Sequence, residues 1–204
     1  MAESNRVNVS ELLLQARAGD PSARDRLFAV CRNYVSVAAR AEVASWLKAK
    51  VDASDLVQQT LLEAHRGLAN FRGESEAEWL AWLRRILAHN AADYVRRFHG
   101  VEKRRVGREV SLQASDDSER GDLDLDGHVE TPSQLVMQKE LQLQVADALT
   151  QLSEDHQEVI ILRNMQRLPF DEVAERMGRT RPATQMLWMR AIKKLQEVLQ
   201  KSDL

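Results

Sequence analysis

Residues 76–100, EAEWLAWLRRILAHNAADYVRRFHG, read as one long helix with two unlike surfaces. At about 100° per residue, Trp79, Leu80, Leu83, Ile86, Leu87, Tyr94 and Phe98 gather on one broad face, wide enough to close a helical bundle. Trp82, Arg85, His89 and Arg96 follow one another at intervals of three, four and seven residues and form a second stripe, cationic with one large flat aromatic. Such a stripe suits a nucleic-acid strand, because guanidinium groups take phosphates and an indole stacks on a base. Helical spacing alone fits a solvated basic face, with Trp82 at the core edge, at least as well.

Working back from this helix, the chain is helical throughout. Ser10 is positioned to cap a helix over ELLLQARA that Gly19 stops. Asp20-Pro21 opens a second, with a capping side chain and a proline where its missing N–H does no harm. Leu27, Val30, Tyr34, Val37, Ala38, Ala41, Val43 and Leu47 recur at helical intervals after it. Asp52 with Asp55 resembles a reciprocal capping arrangement. It opens a helix whose core side is Leu56, Thr60 or Leu61, Ala64, Leu68 and Phe71, and Arg72-Gly73-Glu74-Ser75 is the break before Glu76. Short connections between amphipathic helices predict a bundle over residues 1–100.

Beyond His99-Gly100 the composition changes. The stretch SLQASDDSERGDLDLDGHVETPS has little to bury and much charge, which predicts a flexible acidic linker over 101–132. Arg84 to Arg108 carries eight basic residues against two acidic, whereas Ser111 to Glu130 carries seven acidic against Arg120 alone. The net charge of −2 therefore conceals two opposed segments. Exposed charges more than about 10 Å apart are largely screened, so the basic segment keeps its local character. Helices resume behind Ser133, with Leu135, Val136, Leu141, Val145, Ala148, Leu149 and Leu152 as the apolar set. Ser153 caps a helix through HQEVIILRNMQ, a short helix over LPFDEVAERMG ends at Gly178, and a last helix spans about 181–200. Val173, Ala174, Met177, Trp188, Ala191 and Leu195 take packing positions, the spacing of a helix-turn-helix within residues 133–204. The predicted fold is all-α, two small helical domains joined by the acidic linker.

A chain of 204 residues, 44% hydrophobic and 29% charged, can bury a core. It has no apolar run of membrane-spanning length, and MAESNRVNVS lacks the apolar core of a secretory signal, so a cytoplasmic location is the expectation. Cys31 reads as a small buried hydrophobe. The five histidines fall at no metal-ligand spacing, and no phosphate loop, nucleophile elbow or pair of divergent carboxylates is found. The reading is non-enzymatic, with no cofactor and no metal.

Two blocks resemble a known family. DLVQQTLLEAHRGLANFRGESEAEWLAWLRRILAHNAADYVRR looks like the second conserved region of bacterial RNA polymerase sigma factors of the extracytoplasmic-function (ECF) group. LSEDHQEVIILRNMQRLPFDEVAERMGRTRPATQMLWMRAIKKL looks like their fourth region. Asp55, Gln58 and Phe71-Arg72-Gly73, then Trp82-Leu83, Arg85-Ile86, Asn90, Asp93 and Arg96-Arg97, coincide in register, and the middle domain of larger relatives is replaced by the acidic linker.

The resemblance implies that Asp55, Gln58, Gln59 and Leu62 dock on the clamp coiled coil of the polymerase largest subunit. It implies that Asn70, Arg72 and Gly73, with Trp82, Arg85, His89, Arg96 and Arg97 on the next helix, hold and open the minus-ten element. It places Arg179, Arg181, Gln185, Met186 and Arg190 at the minus-thirty-five element, with the flank of that domain on the polymerase flap. The partners implied are core RNA polymerase and promoter DNA, and regulation by an anti-sigma factor stays open. For the linker two readings stand, a polyanion running through the polymerase cleft and a solubilising tether.

Two departures matter. Gln59 stands where the family often has a carboxylate, and Ala183, Thr184, Gln185, Met186 and Leu187 stand where a basic recognition sequence is common. Gln185 is then a candidate reader of an adenine edge. The competing readings are a helix-turn-helix regulator that acts without polymerase and an enzyme on a helical scaffold. The helix from Asp52 to Phe71 argues against the first and the missing catalytic groups against the second.

Overall fold

The computed structural model describes residues 8–46, 53–106 and 142–202, and among these residues every regular element is helical. Helix α1 (Val9–Arg17) is capped by Asn8, whose Oδ1 accepts from the Glu11 amide at 3.1 Å. The sequence reading places this cap at Ser10, which lies inside the helix. Asn8, two residues earlier, satisfies the orphan amide of Glu11, the third residue of the helix, so the helix starts before Ser10. Gly19 takes a left-handed φ of 97°, and Asp20 Oδ1 accepts from the amides of Ser22 (2.8 Å) and Ala23 (3.3 Å) to start α2 (Pro21–Trp46).

Helix α3 (Ala53–Gly67) runs into a single 3-10 turn at Leu68–Asn70; Asp52, expected in its cap, lies outside the described residues. Helix α4 (Glu76–Val106) continues past Gly100, where the sequence reading ends it. One glycine inside a helix costs only about 1 kcal/mol, and the Glu-Lys-Arg-Arg run that follows favours helix.

Helices α1 to α4 close over Leu12, Leu13, Leu27, Val35, Leu56, Leu80, Leu83 and Leu87. Trp79, fully buried, sits at the centre. Its ring meets those of Phe28 and Phe71 edge-on, at 5.7 and 5.3 Å between centroids, and its indole N–H donates to Cys31 Sγ at 3.2 Å. Burial pushes the Cys31 thiol up to about 12, so it stays a neutral packing group. Asn90, also buried, donates to Thr60 Oγ1 at 3.4 Å across the α3–α4 contact, a structural use of a polar residue on an apolar face.

The second helical domain comprises α5 (Gln142–Thr150), α6 (Glu154–Ile160) prolonged by a π turn at Ile161–Met165, α7 (Phe170–Arg176) and α8 (Arg181–Ser202). Ser153 stands at the N-cap of α6 as expected, yet its side chain makes no capping hydrogen bond. Leu149, Leu152, Val159, Ile160, Leu162, Val173 and Ala191 form its interior.

The two domains share one continuous apolar core, with α5 packed on α2. Polar contacts cross the same seam. Asn33 Nδ2 donates to Asp147 Oδ1 (2.8 Å), Gln166 Nε2 donates to the Ala41 carbonyl (2.9 Å), and Arg40 reaches both Gln157 and Glu158. Most of the acidic linker, and Leu135, Val136 and Leu141 behind it, lie outside the described residues.

Candidate functional site

Three surfaces carry the residues singled out from the sequence. The first is the 70–75 loop with the outer side of α4. Gly73 sits under the Phe71 ring, where a Cβ would stand 2.4 Å from Phe71 Cζ and 2.9 Å from Glu78 Cβ. Arg17 Nη1 donates to the Gly73 carbonyl at 3.1 Å, which ties the loop to the end of α1. Ser75 and Glu78 form a capping box. Ser75 Oγ accepts from the Glu78 amide at 3.3 Å, and Glu78 Oε2 accepts from the amides of Glu74 and Ser75, both at 3.1 Å. This motif was legible as Ser-x-x-Glu, although the sequence reading treats the segment only as a break. Asn70 and Arg72 project from the held loop and are exposed.

The stripe on α4 is formed, with two qualifications set by packing. Trp82 is half-buried, its ring 5.0 Å from that of Phe71 and 5.1 Å from that of Trp79, and it covers Gly67, where a Cβ would meet the indole at 3.0 Å. Only the remaining part of the indole is open to solvent. Asp93 also belongs to the stripe, four residues after His89 and three before Arg96. It faces His89 Nε2 at 3.5 Å and pairs with Arg96. Both partners are about two-thirds exposed, so these are surface pairs worth ~0–1 kcal/mol that a phosphate can displace. Arg85 is exposed and has no ion pair among the described residues. The side chain of Arg97 lies outside the described residues.

The second surface is on α3. Asp55, Gln58, Gln59 and Leu62 recur at three- and four-residue spacing and form one outward stripe, opposite the buried Leu56, Val57, Thr60 and Ala64. Leu62 is 45% exposed, a large apolar side chain left open on an otherwise polar face. Gln59 Nε2 donates to Glu63 Oε1 at 2.6 Å, so a carboxylate stands one turn from the position where the sequence lacks one.

The third surface is the helix-turn-helix of α7 and α8. Gly178 takes φ 62° in the turn, a left-handed conformation that glycine adopts without the steric cost of a side chain. Thr180 starts α8, its Oγ1 accepting from the Ala183 amide at 3.4 Å. Thr184 is buried and donates to the Thr180 carbonyl at 3.0 Å, so it faces inward. Trp188 is held by its indole N–H on Asn164 Oδ1 (2.9 Å) and by an edge-on contact with Phe170 at 5.7 Å. These anchors fix which side of α8 faces out: Gln185 is half-buried, while Met186, Met189, Arg190 and Lys193 are exposed. Arg179 pairs with Asp155 (2.6 Å) and Arg181 with Asp171 (3.4 Å), again surface pairs. Met189 and Lys193 are absent from the sequence reading, although their spacing from Met186 signals a common face.

The sigma-70 region 2 family profile matches residues 22–99, which contain α2 through most of α4, and the sigma-70 region 4 profile matches 142–195, which contain the helix-turn-helix. Among sequence relatives, the ECF RNA polymerase sigma-E factor of Haemophilus influenzae is 32% identical over 127 residues, covering 62% of this chain and 63% of that one. The RNA polymerase sigma factor YlaC of Bacillus subtilis is 31% identical over 126 residues, 62% and 65% of the two chains. The aligned part thus spans under two thirds of either relative. Among solved structures, CnrH in complex with the cytosolic domain of CnrY aligns over 94% of this chain and 97% of that one, at 24% identity and a TM-score of 0.35. The chain belongs to the sigma-70 family of RNA polymerase sigma factors, in its extracytoplasmic-function group.

Proposed function

We propose that the protein is a dissociable promoter-specificity subunit: it binds core RNA polymerase in the cytoplasm and directs promoter recognition, DNA opening and transcription initiation. Residues 1–100 take the polymerase clamp and the minus-ten element, 133–204 the minus-thirty-five element, and 101–132 connect them. The observation that carries this reading is the α3 stripe of exposed Asp55, Gln58 and Leu62 with half-buried Gln59, on a helix other than the two that carry basic surfaces. A regulator that binds DNA by itself has no use for it.

On the DNA side, Asn70, Arg72 and Gly73 hold a base drawn out of the duplex, while Trp82, Arg85, His89, Arg96 and Arg97 take the strand beside it. Extracting a base costs a few kcal/mol of stacking, which phosphate contacts from the exposed Arg85 and from His89 and Arg96, once released from Asp93, offset. Each phosphate neutralised makes binding steeper in salt. Arg179, Arg181, Gln185, Met186 and Arg190 face the upstream element. An anti-sigma factor is the kind of regulator that fits this class.

The experiment is run-off transcription on genomic fragments with purified protein and core polymerase. Discrete new start sites are expected with the pair and only weak DNA binding by the protein alone. If the core enzyme neither retains the protein nor gains start sites, the reading is lost.

A further inference from the structure

Helix α8 presents a face that polar base readout does not explain. Met186 and Met189, one turn apart, are 50% and 58% exposed and are among the most open large apolar side chains among the described residues. Thr184 is turned inward and Gln185 is half-buried, and the exposed Arg181 is held by Asp171 at 3.4 Å, so neither polar side chain next to Met186 stands out on the outer surface. Pro182 and Ala183, exposed beside them, are small. Arg190 and Lys193 flank the two methionines on the same side, are exposed, and enter no ion pair among the described residues, unlike Arg179, Arg181 and Lys194. An apolar ridge with exposed cations along its edge matches one ligand chemistry. In a DNA major groove the thymine C5-methyl is the apolar feature of the base edges, and the phosphates line the rim.

We infer that Met186 and Met189 read thymine methyl groups in the upstream promoter element, with Arg190 and Lys193 on the flanking phosphates. The inference rests on the proposed function and adds the chemistry of its specificity. A methionine suits the task because its unbranched, polarisable thioether adapts to a methyl at several offsets. The element so read is rich in thymine on one or both strands, and its recognition depends on methyl groups rather than on the hydrogen-bond pattern of adenine–thymine pairs. Arg190 and Lys193 contribute affinity without sequence preference and add to the salt dependence.

The test uses the full chain with core polymerase on a promoter mapped by run-off transcription. The upstream element is synthesised with thymine and again with deoxyuridine at every thymine, which removes the methyl and leaves every base-pairing group. For the wild-type protein, uracil is expected to weaken binding roughly fourfold per contacted methyl, the worth of one buried methylene. The Met186→Ala, Met189→Ala double variant is expected to bind thymine DNA as weakly as the wild type binds uracil DNA, and to be indifferent to the exchange. Leucine at both positions restores sensitivity. Equal binding of both duplexes by the wild type, or a uracil effect that survives in the alanine variant, overturns the inference while leaving the proposed function intact. Loss of affinity for core polymerase in the alanine variant also overturns it, by making the ridge a protein contact. Failure to start at any discrete site overturns both.

Discussion

At the scale of single residues, Gly73 shows how a site residue is fixed by space rather than by backbone conformation. Its φ is not among the positive ones, so alanine is allowed by the backbone and excluded by the Phe71 ring 2.4 Å from where its Cβ would stand. Phe71 cannot swing aside cheaply: it is 8% exposed and packed against both Trp79 and Trp82. Gly73→Ala is therefore expected to destabilise the protein by about 1–3 kcal/mol, the usual range for forcing an extra carbon into a packed site. Since the same ring supports Trp82, promoter opening should fall as well. Urea unfolding checks the first expectation, and an unchanged midpoint would show that the ring is free to move. The break at Arg72-Gly73-Glu74-Ser75 is plain in the sequence, but the fold of the aromatic ring back over it is not, because no local rule links residue 71 to the space above residue 73.

The helices themselves were largely legible, because a 3.6-residue period writes the buried face directly into the sequence. Trp79, Leu80, Leu83 and Leu87 on α4 and Val173, Ala174 and Ala191 in the helix-turn-helix are buried as the spacing requires. Helix ends were less so. Asn8 rather than Ser10 caps α1, and α4 outruns Gly100, since each end is decided by about 1 kcal/mol among rival caps and breakers. The α4 stripe was legible as spacing but not as chemistry, for Asp93 sits among its cations and Trp82 leans into the core. The start of α4 offers a test at this scale. Glu78→Ala removes the acceptor for two amides at once and should cost about 0.5–2 kcal/mol. Glu78→Gln keeps an acceptor in the capping box and should cost less. Equal losses in denaturant unfolding would mean that the carboxylate acts only through its charge at the helix N-terminus.

At the scale of the whole molecule, the seating of the second domain on α2 depends on contacts between residues 114 to 125 positions apart, Asn33 to Asp147 and Ala41 to Gln166 among them. No periodicity announces such pairs, which is why the sequence yields two domains but not their arrangement. Arg40 makes two of the polar contacts across the seam. Its guanidinium, 29% exposed, reaches Gln157 and lies 3.0 Å from Glu158, itself 40% exposed. A pair this open contributes ~0–1 kcal/mol, so Arg40→Ala alone should loosen the seam only slightly. Arg40→Glu does more, because it sets one carboxylate against another and leaves Gln157 without its donor. The apolar contact of α2 with α5 opposes separation, so the charge reversal is expected to populate an opened form rather than to unfold either domain. Small-angle scattering should report a larger radius of gyration for Arg40→Glu than for the wild type, while helical content by circular dichroism stays the same. Glu158→Arg in the same chain restores an ion pair of reversed polarity and should return the radius to the wild-type value. An unchanged radius in the single variant would show that apolar burial, and not this ion pair, holds the two domains together.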